Sequence, residues 1–121
     1  MKKYLLISAI LLQIVTLKAQ VVSTLTTDSL IREGLHVDDA GDIYTTSGGL
    51  VGGTSIGKYE VATDNYIPIF NSSLFGTIDV DQTQDGTLII TNFDNSTVTA
   101  LDPVTGIATV IATAADGLDA P

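Results

Sequence analysis

An internal repeat constrains this chain more than any other feature of its sequence. Residues 35–47 and 78–92 share one frame, which is an apolar-x-Val-Asp phrase, a glycine turn and a run rich in Ile and Thr. Farther along, Ile56 is matched by Val98 at a similar spacing, so that the period is about 43 residues. A fixed period of about 20 to 50 residues is the signature of repeat architectures. The chain is therefore predicted to contain two copies of one structural unit.

Each unit has the pattern of four short β-strands. The runs are rich in Val, Ile and Thr, several alternate with period two, and turn signals such as Asp85-Gly86 separate them. The predicted strands are 34–38, 43–47, 56–61 and 66–70 in the first unit, and 77–81, 88–93, 97–102 and 108–113 in the second. Four strands at this period are typical of a β-propeller blade. The predicted fold class is all-β, a partial propeller with antiparallel blades at 34–70 and 77–113.

The two ends of the chain suggest an incomplete ring. Residues 21–26 have a strand-like pattern and are predicted to be the N-terminal strand that closes the ring by completing the last blade. Residues 116–121 have the pattern of a lead-in to another unit. Propellers have about 4 to 8 blades, and about three stacked repeats are the least that is stable. Two interpretations stay open: a fragment whose missing blades lie in cis, or a short chain that self-assembles into a ring.

The first residues have the pattern of an export signal. Residues 1–19 combine a positive start, a mostly apolar run over 5–17 and the small residue Ala19 at a plausible cleavage point. The apolar run is shorter than the roughly 20 residues that a membrane span needs. Residues 20–121 are therefore predicted to be exported to a periplasmic, cell-surface or extracellular location, with no stable membrane span after signal cleavage. An uncleaved N-terminal anchor is the alternative.

Charge and residue usage exclude several classes of function. The chain has 14 acidic residues against 5 Lys and Arg, a net charge of −9, and only Arg32 and Lys58 are basic beyond the signal segment. We therefore expect no nucleic-acid partner, because little positive charge remains to neutralise phosphates. There is no cysteine, hence no disulfide, thiolate metal site or cysteine nucleophile. The single histidine, His36, is matched by Asp79 in the second unit, and no catalytic residue is predicted.

The repeat phrases resemble those of a known superfamily. Residues 37–44 and 80–92 are similar to the VD-x-x-G-x-(I/L)-Y phrase of NHL-repeat and gluconolactonase–regucalcin-like six-bladed propellers. Residues 101–106 resemble the LDP-x-TG turn of those blades, and residues 117–121 resemble their G-L-x-x-P lead-in. The resemblance implies the architecture but not an activity, because unrelated functions share such scaffolds.

The resemblance also implies where a ligand would bind. Gluconolactonase-like enzymes hold a divalent cation, such as calcium, at one mouth of the channel through Glu, Asn and Asp oxygens. The matching loops here are 48–55, 71–76 and 93–96. Asn92 is the first candidate for a ligand-binding residue, and Asp94 and Asn71 follow it. The superfamily's glutamate has no counterpart in a matching phrase, so that the metal ligands stay unknown. The alternative is that Asn92 and Asp94 cap a tight turn.

Two functions stay open at this point. The first is a secreted repeat scaffold that binds a protein or a glycan, since no catalytic set is visible. The second is a fragment of a lactonase- or lyase-like propeller enzyme with a divalent cation at the channel mouth. The acidic stretches 38–42 and 79–86 are predicted to be strand ends and turns, because 79–86 lacks the glycine and glutamate positions of an EF-hand loop.

Overall fold

A computed structural model describes residues 31, 33–48 and 53–121 of the chain. Within these residues there are eight β-strands, one short 3-10 helix at Ala114–Asp116 and no α-helix. The strands of the first sheet are β1 (Leu35–Val37), β2 (Ile43–Thr46), β3 (Ile56–Glu60) and β4 (Asn65–Asn71). The strands of the second sheet are β5 (Thr77–Gln82), β6 (Leu88–Asn92), β7 (Thr97–Leu101) and β8 (Ala108–Ala112). No helix in this part of the chain has the length and apolar character needed to cross a bilayer.

Both sheets are antiparallel meanders with the strands in chain order, β1 to β4 and β5 to β8. The predicted all-β fold of two four-stranded blades is confirmed, and every strand begins and ends within one residue of its predicted bounds. The sheets have the arrangement of partial propeller blades and do not close a ring. The predicted signal segment at 1–19 and the predicted strand at 21–26 lie outside the described residues.

Equivalent turns shape the two repeats. Gly41 and Gly86 have φ angles of 87° and 90°, in the left-handed region that glycine enters without steric cost. In the first of these turns, the Asp38 Oδ1 atom accepts hydrogen bonds of 2.9 Å from the N–H groups of Ala40 and Asp42. The two glycines therefore occupy equivalent positions in the β1–β2 turn and the β5–β6 turn, and the two turns have similar backbone conformations.

Strand alternation gives each sheet a face that packs against the other sheet. Residues opposite each other on neighbouring antiparallel strands share a face. The packed faces, together with Leu74 from the β4–β5 connection, form a common core of Tyr44, Ile56, Leu74, Val80, Leu88, Ile90 and Leu101, with Phe70 against it. Tyr44 and Phe70 meet edge to face, with ring centroids 5.9 Å apart.

Polar bonds tie the start of the second sheet to the first. The Thr46 hydroxyl donates to the carbonyl of Ile78 over 2.8 Å and accepts from the Gly34 N–H over 2.6 Å. The Thr77 hydroxyl donates to the Ser55 carbonyl over 3.0 Å. Gly34 permits the close approach, because a Cβ atom there would lie 2.6 Å from the Cα atom of Asp79. Strands β1 and β5 therefore run side by side.

Candidate functional site

A cleft opens between equivalent turns of the two repeats. It has a volume of about 420 Å³ and lies between the β1–β2 turn and the β5–β6 turn. The polar residues that line it include His36, Asp38, Asp39, Gln82 and Asp85. The cleft thus combines one end of β1 and one end of β5, which the packing of the sheets brings together.

A second cavity shares part of this lining. It has a volume of about 380 Å³ and extends toward Tyr44 and the β7–β8 turn at Asp102. Asp38, Gln82 and Asp85 line both cavities. The two cavities therefore form one surface, which we call the acidic cleft: Asp38, Asp39, Asp85 and Asp102, with His36 and Gln82.

Turn hydrogen bonds hold the carboxylates of the acidic cleft in place. Asp85 accepts from the Thr83 hydroxyl and from the Thr87 N–H, and these bonds lower the pKa of its carboxyl group. Hydrogen bonds from the side chain of Thr105 and from nearby backbone N–H groups likewise lower the pKa of Asp102. The predicted turn role of these acidic stretches is confirmed at Asp85. Both carboxylates are ionised at neutral pH.

His36 joins the two sheets at the wall of the cleft. Its Nδ1 atom lies 3.1 Å from the Asp81 Oδ1 atom. The His36 side chain is 21% exposed, whereas that of Asp81 is 81% exposed. The pair therefore bridges β1 and β5 with its carboxylate open to solvent.

Lys58 is held within its own sheet. Its Nζ atom donates to Asp42 over 2.9 Å and to Glu60 over 3.4 Å, and it lies 5.7 Å from the centre of the Tyr44 ring. Desolvation alone would lower the pKa of Lys58, but the hydrogen bonds with Asp42 and Glu60 and nearby negative charge outweigh it and raise the pKa. The hydrogen bond from Lys58 in turn lowers the pKa of Asp42. The positive charge of Lys58 is thus balanced by its own neighbours.

Asn92, the first candidate from the sequence, lies in the interior. Its side chain has no exposed surface. The Oδ1 atom accepts from the Phe75 N–H over 3.2 Å, and the Nδ2 atom donates to the Thr99 hydroxyl over 3.0 Å. The Asn92 carboxamide therefore bonds the β4–β5 connection and strand β7.

The other two candidates lie apart from each other. Asp94 is exposed in the β6–β7 turn, where its N–H donates to the Phe75 carbonyl over 3.2 Å and its carboxylate lies against Gly76. Asn71 ends β4, and its Nδ2 atom donates to the Gly106 carbonyl over 3.2 Å. Its buried Oδ1 atom has no hydrogen-bond partner in the described part of the chain. Asn92 and Asp94 therefore lie together at the end of β6 and in the turn that follows it, whereas Asn71 lies at the end of β4.

The acidic cleft was missed because its residues were read as turn formers alone. None of Asn92, Asp94 and Asn71 lines it. A usable signal was present, since equivalent turns of neighbouring repeats must come to the same end of the stacked units. Among the described residues, no group of three or more His, Asp or Glu side chains is arranged to hold a metal ion.

Comparison with known proteins does not identify a family for this chain. No family model, no curated protein and no solved structure matches the chain.

Proposed function

We propose that the chain is a secreted repeat scaffold that binds a protein or a glycan, and that the acidic cleft receives a protein segment carrying Lys or Arg side chains. The observation that carries this proposal is the open cleft of about 420 Å³ between the two repeats, lined by carboxylates and amides. Ligand pockets fall in the range of about 300 to 1,000 Å³. The cleft has room for a few side chains of a partner.

Charge favours a basic partner over a neutral one. Asp85 and Asp102 stay ionised at neutral pH because turn hydrogen bonds lower the pKa of each. Lys58, the one Lys or Arg side chain among the described residues, is already paired with Asp42. Complementary charge increases association rates and selects the partner. The turn bonds also fix the carboxylates before binding, which reduces the entropy lost on association.

The repeat phrases support the scaffold part of the proposal. As part of it, we place the chain among the NHL-repeat and gluconolactonase–regucalcin-like propellers, on the resemblance of residues 37–44 and 80–92. Export follows from the signal pattern of residues 1–19. A repeat scaffold uses its turns and loops for recognition because the strands are occupied in packing.

The test is binding of a labelled deca-lysine peptide to the full chain, measured by fluorescence anisotropy. The double variant Asp39→Asn/Asp85→Asn should raise the Kd about threefold to tenfold, because two partly exposed charges of the cleft are lost. The double variant Asp94→Asn/Asp119→Asn is the matched control, since it removes two exposed carboxylates that lie outside the acidic cleft. We expect it to change the Kd less than twofold.

Two results would overturn this proposal. One is an equal loss of affinity in Asp94→Asn/Asp119→Asn, which would show that only net charge matters. The other is a wild-type chain that does not bind the peptide at all but does bind a neutral oligosaccharide. The second result would assign the scaffold to a glycan ligand instead.

A further inference from the structure

The single histidine of the chain lies at the wall of the acidic cleft. His36 is opposite Tyr44 in the register of β1 and β2, and residues opposite each other share a face, so that His36 is on the packed face of the first sheet. Its Nδ1 atom lies 3.1 Å from the Asp81 Oδ1 atom on β5. Asp81 lines neither cavity of the cleft. The imidazole ring therefore borders the cleft, whereas its carboxylate partner does not.

The charged groups around His36 are acidic. The titratable residues on the elements packed against it are Glu33 ahead of β1, Asp38 and Asp39 in the β1–β2 turn, Tyr44 on β2, Asp79 and Asp81 on β5, and Asp85 in the β5–β6 turn. Lys58, opposite Tyr44 on β3, is paired with Asp42 and Glu60. Since Lys58 is the one Lys or Arg side chain that the structure describes, His36 is the group at the cleft that can add a positive charge.

Acid between pH 8 and pH 5 changes the charge of the cleft through histidine rather than through carboxyl groups. Hydrogen bonds from threonine side chains and turn N–H groups lower the pKa of Asp85 and Asp102 below 3.8, so that both stay ionised. Burial raises the pKa of Tyr44 above 10.0, so that its hydroxyl stays neutral. Asp and Glu side chains ordinarily ionise near about pH 4, and histidine is the side chain whose charge changes between about pH 5 and pH 8.

We propose that His36 is the pH sensor of the acidic cleft, and that its protonation places a positive charge on the cleft wall and releases a bound basic segment. This inference rests on the proposed function, because it concerns the same cleft and the same kind of partner. The ring borders a cavity of about 420 Å³. An ammonium group of the partner inside the cavity is therefore within the roughly 8 Å over which charges act at physiological salt.

The first measurement is the Kd of the labelled deca-lysine peptide for the full chain at about pH 8 and about pH 5.5, by fluorescence anisotropy. The peptide, with its α-amino group blocked by the label, keeps its charge because lysine side chains lose their protons only near about pH 10.4. The wild-type Kd should be about threefold to tenfold higher at the lower pH. In His36→Gln the two Kd values should agree within about 1.5-fold, because glutamine does not titrate. An equal pH dependence in the two chains would overturn the proposal.

A relocated histidine is the matched control. The double variant His36→Gln/Asn95→His again contains one histidine, but Asn95 is exposed in the β6–β7 turn and lines neither cavity of the cleft. Its pH dependence should match that of His36→Gln. A relocated histidine that restores the wild-type pH dependence would overturn the proposal, because it would show that acid acts through net charge alone.

Proton NMR of the wild-type chain keeps the inference testable if a variant does not fold. The untagged chain has one histidine, so that every histidine ring signal belongs to His36. A ligand that is released by protonation makes protonation harder by the same factor. A change in Kd of about threefold to tenfold therefore corresponds to a decrease of about 0.5 to 1 pH unit in the titration midpoint of His36 when saturating peptide is added. A midpoint that stays constant or increases would contradict the pH sensor.

These experiments separate the inference from the proposed function. Peptide binding that depends on Asp39 and Asp85 but not on the protonation of His36 would keep the acidic cleft as the binding site and overturn the pH sensor alone. A wild-type chain that does not bind the peptide at either pH would overturn both.

Discussion

At the scale of single residues, Asn92 shows how a polar side chain joins the core of a β-sheet. Leu88, Ile90 and Asn92 alternate along β6 and share the packed face, and none of the three has exposed surface. The period-two alternation of the sequence contains this information, because an asparagine two residues after a buried isoleucine faces the same way. Its bonding partners could not be predicted, since the Phe75 N–H comes from a connection whose path depends on how the two sheets pack.

Asn92→Ala should lower the free energy of unfolding by about 2 kcal/mol, because it removes a buried carboxamide that accepts from the Phe75 N–H and donates to the Thr99 hydroxyl. Urea denaturation measures the loss. Asn65→Ala is the control, since Asn65 is exposed at the start of β4, and it should change the free energy by less than about 0.5 kcal/mol. A ligand-binding role for Asn92 would instead alter binding in a chain of unchanged stability.

The Asp42–Lys58 pair should make stability depend on pH at both limits. The folded pKa of Asp42 is lowered below 3.8, mainly by the hydrogen bond from Lys58. The contribution of Asp42 is therefore fully present above pH 3.8 and is lost as the pH falls through the folded pKa. The pKa of Lys58 is raised above 10.5, so that its contribution is present below pH 10.5 and is lost as the pH rises through the folded value.

Asp42→Asn should consequently destabilise the chain by about 1 kcal/mol at neutral pH, a value kept small by solvent screening. The difference from the wild-type chain should shrink as the pH falls below 3.8 through the folded pKa of Asp42, because protonation removes the charge from the wild-type side chain. Urea denaturation over a series of acidic pH values measures it. Asp39→Asn, in the exposed part of the same turn, should differ from the wild-type chain by less than about 0.5 kcal/mol at neutral pH. A deficit in Asp42→Asn that stays constant as the pH falls would contradict the electrostatic cause.

At the scale of elements, strand positions were predictable and the contacts between sheets were not. The repeat period, the glycine turns and the runs of β-branched residues placed all eight described strands within one residue of their bounds. These signals are local, because turn chemistry and alternation act over a few residues. The bonds from Thr46 to Gly34 and Ile78 join residues far apart in sequence, and no local signal distinguishes Thr46 from other strand threonines.

Thr46→Val should lower the free energy of unfolding by about 2 kcal/mol, although the two side chains have nearly the same shape. The substitution leaves the Gly34 N–H and the Ile78 carbonyl without their buried partner. Amide hydrogen exchange at Gly34 should also become faster, because the tether between β1 and β5 is lost. Thr109→Val makes the same chemical change on the exposed strand β8 and should shift stability by less than about 0.5 kcal/mol. Equal effects at the two positions would show that the tether contributes nothing.

At the scale of the whole molecule, the acidic cleft exists only because two equivalent units are placed side by side. It forms where the β1–β2 turn and the β5–β6 turn come together. The sequence pattern predicted the units and left their joint surfaces undetermined, because the separation and tilt of neighbouring blades follow from side-chain packing rather than from any single repeat.

Salt should weaken binding at the acidic cleft, because the attraction of its carboxylates for a basic partner is electrostatic. Raising NaCl from about 20 mM to about 500 mM shortens the range of this attraction to a few ångströms. The Kd of the deca-lysine peptide should therefore increase, and fluorescence anisotropy measures the change. A Kd that stays constant or decreases at high salt would mean that contacts other than those between charges hold the peptide in the cleft.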